Sequence, residues 1–179
     1  HLGTMRVEGD DAFERLQETL TNDLTKIGPG RAQYTHLLDA DNASVLDDII
    51  VWWHPRNDGE SDVFDVMPNA SNTDRVVAAL DGVDTTASRA VIAVQGSAAQ
   101  SLIEPVFSTA ATVGRFRVAH CTWKGINCVV AGTGYTGESG FESWRSSFFR
   151  DSELTRISCG QTSRRKPEDQ CSVRWTNHA

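Results

Sequence analysis

Carboxylates sit at two places in this sequence where the neighbouring residues leave them little water. The first place is the end of Gly134-Tyr135-Thr136-Gly137-Glu138-Ser139-Gly140-Phe141-Glu142. Three glycines in seven residues predict a loop with backbone angles closed to residues that carry side chains. A tyrosine and two glutamates ride on it, more reactive surface than a plain turn needs. The second place is Asp47-Asp48, directly before Ile49-Ile50-Val51-Trp52-Trp53. Five consecutive large apolar residues read as a strand buried on both faces. Low-dielectric surroundings at its entrance drive a carboxyl group either to take up a proton or to find a specific donor. Strand alternation sends Asp47 and Asp48 to opposite faces, so one of them at most enters a given pocket. The plainer reading is two solvated acids at a strand edge. Asn69, just outside a predicted helix start, is open to the same two readings, site residue or turn residue.

The elements that must position these groups follow from periodicity. Asp10 or Asp11 is placed to cap a helix with Ala12, Phe13, Leu16 and Leu20 on one face. Thr21-Asn22-Asp23 ends it, and Gly28-Pro29-Gly30 turns the chain. Residues 31–38, containing Tyr34, and 45–53 read as two strands of a hairpin. Residues 63–67 form a third strand. Ser71 or Asn72 is placed to cap a second helix with a stripe of Val76, Val77 and Leu80. Further strands are expected over 90–94, 115–121 and 127–131, with a helix from about Gln95 to Ile103 stopped by Pro105. Short turns between strands, with helices interspersed, predict an α+β fold of mostly antiparallel sheet with flanking helices.

Charge is divided unevenly. Residues 1–142 carry 20 Asp and Glu against 10 Lys and Arg, whereas 143–179 carry 4 against 7. An acidic body excludes a phosphate-backbone binder, so no nucleic-acid partner is expected. Thirteen of the first twenty acids are Asp, a surface suited to a salt-loving host. No apolar run reaches membrane-spanning length and no signal peptide opens the sequence, so no membrane partner and a cytoplasmic location are expected. Cys121, Cys128, Cys159 and Cys171 show no metal or redox spacing and read as small core residues, with no metal site expected. Past Glu142 the charge sign changes and periodicity stops. Residues 1–142 are therefore expected to form one domain, and 143–179 an irregular or disordered tail foreign to it.

The glycine-loop stretch closely resembles the signature of the T-protein of the glycine cleavage system, an aminomethyltransferase. Other islands resemble that family in the same order: Thr21-Asn22-Asp23, Gly30-Arg31-Ala32-Gln33-Tyr34, Leu46-Asp47-Asp48-Ile49-Ile50-Val51, Asn69-Ala70-Ser71-Asn72 and Ala93-Val94-Gln95-Gly96. The resemblance spans residues 1–142 and implies the N-terminal part of a three-lobed α+β fold, truncated at both ends. It implies a co-substrate, tetrahydrofolate, and a partner, the lipoylated H-protein. The implied reaction moves a one-carbon unit from the aminomethyl-lipoyl arm to tetrahydrofolate and releases ammonia.

By that resemblance Asp48 is the catalytic aspartate near the reacting folate nitrogen. A carboxylate there can orient the N–H donor and stabilise the cation that forms. Glu142 matches the glutamate that grips the pterin ring, where two parallel hydrogen bonds suit a carboxylate. Tyr135 matches an aromatic wall of the pocket, and Tyr34 and Asn69 match further pocket positions. Glu138 is left as a loop acid, and Asp47 is expected to face away from the ligand. Two other readings remain: a related folate-dependent demethylase, and a non-catalytic folate-binding relative. The latter centres on a cysteine in its signature loop, and residues 134–142 contain none. One departure bears on local structure. Ala43-Ser44 stands where the family often has Gly-Gly, which predicts a turn without positive φ.

Overall fold

The computed structural model describes residues 2–134, 137–146 and 172–176, and the chain divides into two compact units, His1–Ala87 and Ser88–Ala179. The first contains β1 (Met5–Gly9), α1 (Ala12–Thr19), β2 (Arg31–Leu38), β3 (Val45–Trp53), β4 (Asp62–Met67), α2 (Thr73–Leu80) and β5 (Val83–Asp84). Its five strands form one antiparallel sheet in the order β2-β3-β4-β1-β5. The expected α+β class with antiparallel sheet is the architecture found. Before α1, where no strand was expected, alternation of buried Met5 and Val7 with Arg6 and Glu8 makes residues 5–9 an inner strand.

One face of this sheet carries the core. Ile49, Val51 and Trp53 of β3 pack with Leu16 of α1, Phe64 of β4, and Val76 and Leu80 of α2. Ile50 and Trp52, pointing the other way, are buried too, as the unbroken apolar run requires. Each such side chain contributes roughly 1.5–3 kcal/mol. Arg15 of α1 ties the two helices together, donating from Nη1 to the Leu80 and Asp81 carbonyls at the end of α2 (3.2 and 2.6 Å). Those carbonyls lack helical partners, and a cation is favoured there. Asp65 is an acid fully buried in β4; Arg6 Nε donates to its Oδ1 at 3.1 Å, and its Oδ2 lies 2.6 Å from His54 Nε2.

Local expectations fail at three points in this unit. Neither Asp11 nor Asn72, at the helix N-caps, makes a side-chain capping bond, and the Asn72 amide is used elsewhere. Ala43 does take positive φ, +57°. The turn holds because Asp39 Oδ1 accepts from the backbone N–H groups of Asp41 and Asn42 (3.0 and 3.1 Å), which offsets the strain.

The second unit contains β6 (Arg89–Gln95), α3 (Ala99–Ile103), α4 (Ser108–Thr112), β7 (Val118–Trp123), β8 (Ile126–Ala131), β9 (Gly140–Ser146) and β10 (Ser172–Thr176). Its sheet order is β10-β6-β9-β8-β7, again antiparallel. Ile92, Val94, Val130 and Phe141 pack with Ile103 of α3 and Ala110 of α4. The strand expected over 115–121 starts later. Phe116 sits at φ +55° and Arg115 makes only a single bridge, to Gly132. Lys124 and Gly125 close the β7–β8 hairpin with φ of +50° and +79°, the positive pair a two-residue turn demands. The boundary drawn after Glu142 falls inside β9, which pairs with β6 and β8 through residues 143–145. Cys121 and Cys128 face each other across β7 and β8 as free thiols; burial, then neighbouring Cys128, push the Cys121 thiol up to about 11. Cys159 and Cys171 lie outside the described residues. Among the described residues no helix is long and apolar enough to cross a membrane.

Candidate functional site

Two constellations hold the residues singled out by sequence, one in each unit. The first is built by β2, β3 and the turn after β4. In the β2–β3 register Asp48 lies opposite His36, and Tyr34 opposite Ile50. Directly paired residues share a face and alternate residues return to it. Tyr34, His36 and Asp48 therefore line one face of the sheet, and all three are exposed. Asp47 points to the other face and is 3% exposed. The alternation read from the sequence is thus correct for this pair.

Asn69 joins the two acids in spite of it. Its Nδ2 donates to Asp47 Oδ1 at 2.6 Å and to Asp48 Oδ1 at 2.7 Å. Its backbone N–H donates to Asp47 Oδ2 at 3.0 Å. Asn72 Nδ2 adds a bond to Asp47 Oδ1 at 3.1 Å and one to the Leu46 carbonyl at 3.0 Å. Pro68 ends the strand, and a 3-10 turn over Ala70–Asn72 brings both asparagines back toward β3. Thr21-Asn22-Asp23 has a structural role beside this face. Asn22 Nδ2 donates to the Tyr34 carbonyl, Asn22 N–H to Thr35 Oγ1 (3.1 Å), and Asp23 caps the turn Leu24–Lys26.

The second constellation surrounds Glu142 in β9. Glu142 is 2% exposed, paired in register with Ala131 of β8 and Ala93 of β6. Two alanines beside it leave room but supply no side-chain polar group. Among the described residues its one hydrogen-bond donor is Thr133 Oγ1, at 2.8 Å from Oε2. Burial raises the carboxyl pKa above its usual range, and the Thr133 bond only partly opposes that. A buried carboxylate with one donor is arranged to receive others.

The loop carrying Glu142 is clamped by Gln95 and Gly96. Gln95 Nε2 donates to the carbonyls of Thr133 and Phe141 (3.1 and 3.3 Å), and Gly96 N–H to the Ser139 carbonyl (2.9 Å). This corrects the reason given for the glycines. Of the three, only Gly137 takes positive φ, +73°. At Gly134 a Cβ would collide with the Gln95 amide, and at Gly140 with the Val94 carbonyl. The Gln-Gly island and the glycine-loop island are therefore one device. Glu138 is exposed. Tyr135 lies outside the described residues.

Sequence reasoning missed His36, Thr133 and Gln95 as neighbours of the site. Only the strand register reveals the first. Gln95 was visible only as part of a motif island, with nothing to say that it reaches carbonyls 38 and 46 positions away, and Thr133, nine residues before Glu142, carries no periodic signal that pairs the two. Among the described residues no group of three or more His, Cys, Asp and Glu side chains is placed to hold a metal.

Residues 1–147 match the family described as GCVT N-terminal domain. The chain is 39% identical over 150 residues to an aminomethyltransferase of Parafrankia sp. (strain EAN1pec), covering 79% of this chain and 39% of that protein. It is 38% identical over 154 residues to a probable aminomethyltransferase of Haloarcula marismortui, covering 79% and 42% respectively. Among solved structures, the glycine cleavage system aminomethyltransferase T from Bartonella henselae superposes with a TM-score of 0.64 at 25% identity, over 81% of this chain and 40% of that one. The chain thus spans about two fifths of the length of the relatives it matches.

Proposed function

The chain belongs to the GCVT N-terminal domain family, and from that membership we propose that it supplies the tetrahydrofolate-binding part of a glycine cleavage aminomethyltransferase. The observation that carries the proposal is Glu142, a buried carboxylate with one protein donor among the described residues. The pterin ring of tetrahydrofolate presents adjacent N–H donors, and a carboxylate that lacks donors fits them. Tetrahydrofolate, when bound, accepts the one-carbon unit on a ring nitrogen.

The chain's own residues then divide the work. Glu142 binds and orients through paired hydrogen bonds. Asp48, exposed but held by Asn69 at 2.7 Å, orients an N–H donor and stabilises positive charge that develops during transfer. Tyr34 presents a flat ring on the Asp48 face, and Tyr135 is assigned a second aromatic contact. The donor of the one-carbon unit is assigned as a lipoylated H-protein. Support for the reaction class comes from the names of the relatives at 38–39% identity, and support for the glycine cleavage setting, to which the donor belongs, from the name of the Bartonella henselae protein.

Isothermal titration of the chain with tetrahydrofolate tests the binding role, with saturable heat expected. Absence of heat at millimolar ligand would remove it. Asp48→Ala in the complete gene product, assayed with aminomethyl-loaded H-protein, is expected to cut kcat by about 10²–10⁴. An unchanged kcat would show that Asp48 has another role.

A further inference from the structure

The Asp47–Asn69–Asp48 network has a direction. Asp47 is 3% exposed and accepts three hydrogen bonds, two from Asn69 and one from Asn72. Asp48 is exposed, and its carboxylate accepts from Asn69 at 2.7 Å. The two hydrogens of one amide are therefore divided between two carboxylates on opposite faces of β3. A primary amide has two donor hydrogens, and both are taken. This also settles which way the amide is turned, since Nδ2 must face both acids. Asn69 Oδ1 then points away from both.

We propose that Asp47 is a positioning residue for Asp48, acting through the Asn69 amide. Asp47 is locked by burial and by the Asn72 bond, and Asn72 is itself held by the Leu46 carbonyl at 3.0 Å. Asn69 is fastened to Asp47 at two points, backbone and side chain, and so has one orientation. Asp48 is the last and loosest member, a carboxylate on an exposed strand end whose rotamer is selected by a single amide hydrogen. Dependence runs from Asn72 and Asp47 to Asn69, and from Asn69 to Asp48, but not back. For this reason a strand-edge pair of acids is not redundant. The buried acid aims the exposed one. The catalytic consequence rests on the tetrahydrofolate reading, whereas the geometry does not.

The asymmetry gives the test. In this chain the side-chain amide protons of Asn69 report on the network by NMR hydrogen exchange. Asp48→Ala frees the hydrogen that faces Asp48 but should leave exchange of the side-chain hydrogen that faces Asp47 within about twofold, because both attachments to Asp47 remain. Asp47→Asn should speed exchange of that same hydrogen about tenfold or more. Asn72→Ser, a milder change that retains the fold if Asp47→Asn does not, should give an intermediate rise. Equal loss of protection at that hydrogen in Asp48→Ala and Asp47→Asn, or none in either, overturns the proposal. In the complete gene product Asp47→Asn should lower kcat about 10- to 100-fold with the KM for tetrahydrofolate within about twofold. The same change made in an Asp48→Ala background should cost nothing further. If Asp48→Ala alone leaves kcat intact, the functional reading fails while the exchange pattern still decides the positioning. If Asp48→Ala is severe but Asp47→Asn adds its full loss on top, the functional reading survives and the positioning role is refuted.

Discussion

Replacing Glu142 by Gln should make the protein more stable and its ligand binding weaker, and the stability gain should depend on pH in one sense only. Glu142 is 2% exposed, accepts from Thr133 Oγ1 at 2.8 Å, and has a pKa raised above 4.5 chiefly by burial. A raised folded-state pKa means that the native chain holds the proton more tightly than the unfolded chain. Between 4.5 and the folded value the native state binds more protons, so wild-type stability falls as pH rises through that window and stays lowered above it. Gln keeps the shape and one acceptor but carries no charge. Below pH 4.5 both side chains are neutral and the two proteins should melt together. At pH 7.5 the variant should be more stable by about 1–3 kcal/mol, the usual range for an incompletely satisfied buried group. For a chain of this size that is about 3–10 °C in Tm. Thermal unfolding by circular dichroism from pH 4 to 8 measures the gap. Tetrahydrofolate affinity of the variant should fall about tenfold or more, because an amide returns one acceptor where a carboxylate offers two. Gain of stability with loss of binding is the mark of a group kept for function. A gap that does not vary with pH, or a wild type more stable at pH 7.5, would refute the electrostatic reasoning.

Other perturbations probe the scaffold. Gly140→Ala should cost about 1–3 kcal/mol, because the new methyl meets the Val94 carbonyl, which is backbone and cannot swing aside; urea unfolding checks this. Asp65→Asn should cost about 3–5 kcal/mol, since Arg6 and His54 would lose their shared buried carboxylate. A loss under 1 kcal/mol would mean that water replaces it. Ending the chain after Ser146 removes β10 and five register pairs from β6, and should lower stability by about 1–3 kcal/mol. An unchanged Tm would show that β10 contributes nothing to the sheet in solution.

What the sequence by itself determined is everything set by neighbours in the chain. The apolar run Ile49–Trp53 reads as an inner strand, because its shortness and β-branched and aromatic residues suit a strand buried on both faces, and all five side chains are buried. Alternation alone separated Asp47 from Asp48, and the ordered motif islands pointed to the family that residues 1–147 match. Relations between distant positions were decided only by tertiary structure. Asn69 reaches across 21 and 22 residues to bridge two acids that alternation had parted. The spacing between two glycines says nothing of Gln95, which occupies the place of a Cβ at Gly134 from 39 positions away. Ala43 holds a positive φ because Asp39 supplies acceptor bonds that propensity does not count. Local propensity is a sum over adjacent residues. A site is made where segments remote in sequence are forced together by burial, and its donors and acceptors are matched only after the chain has folded.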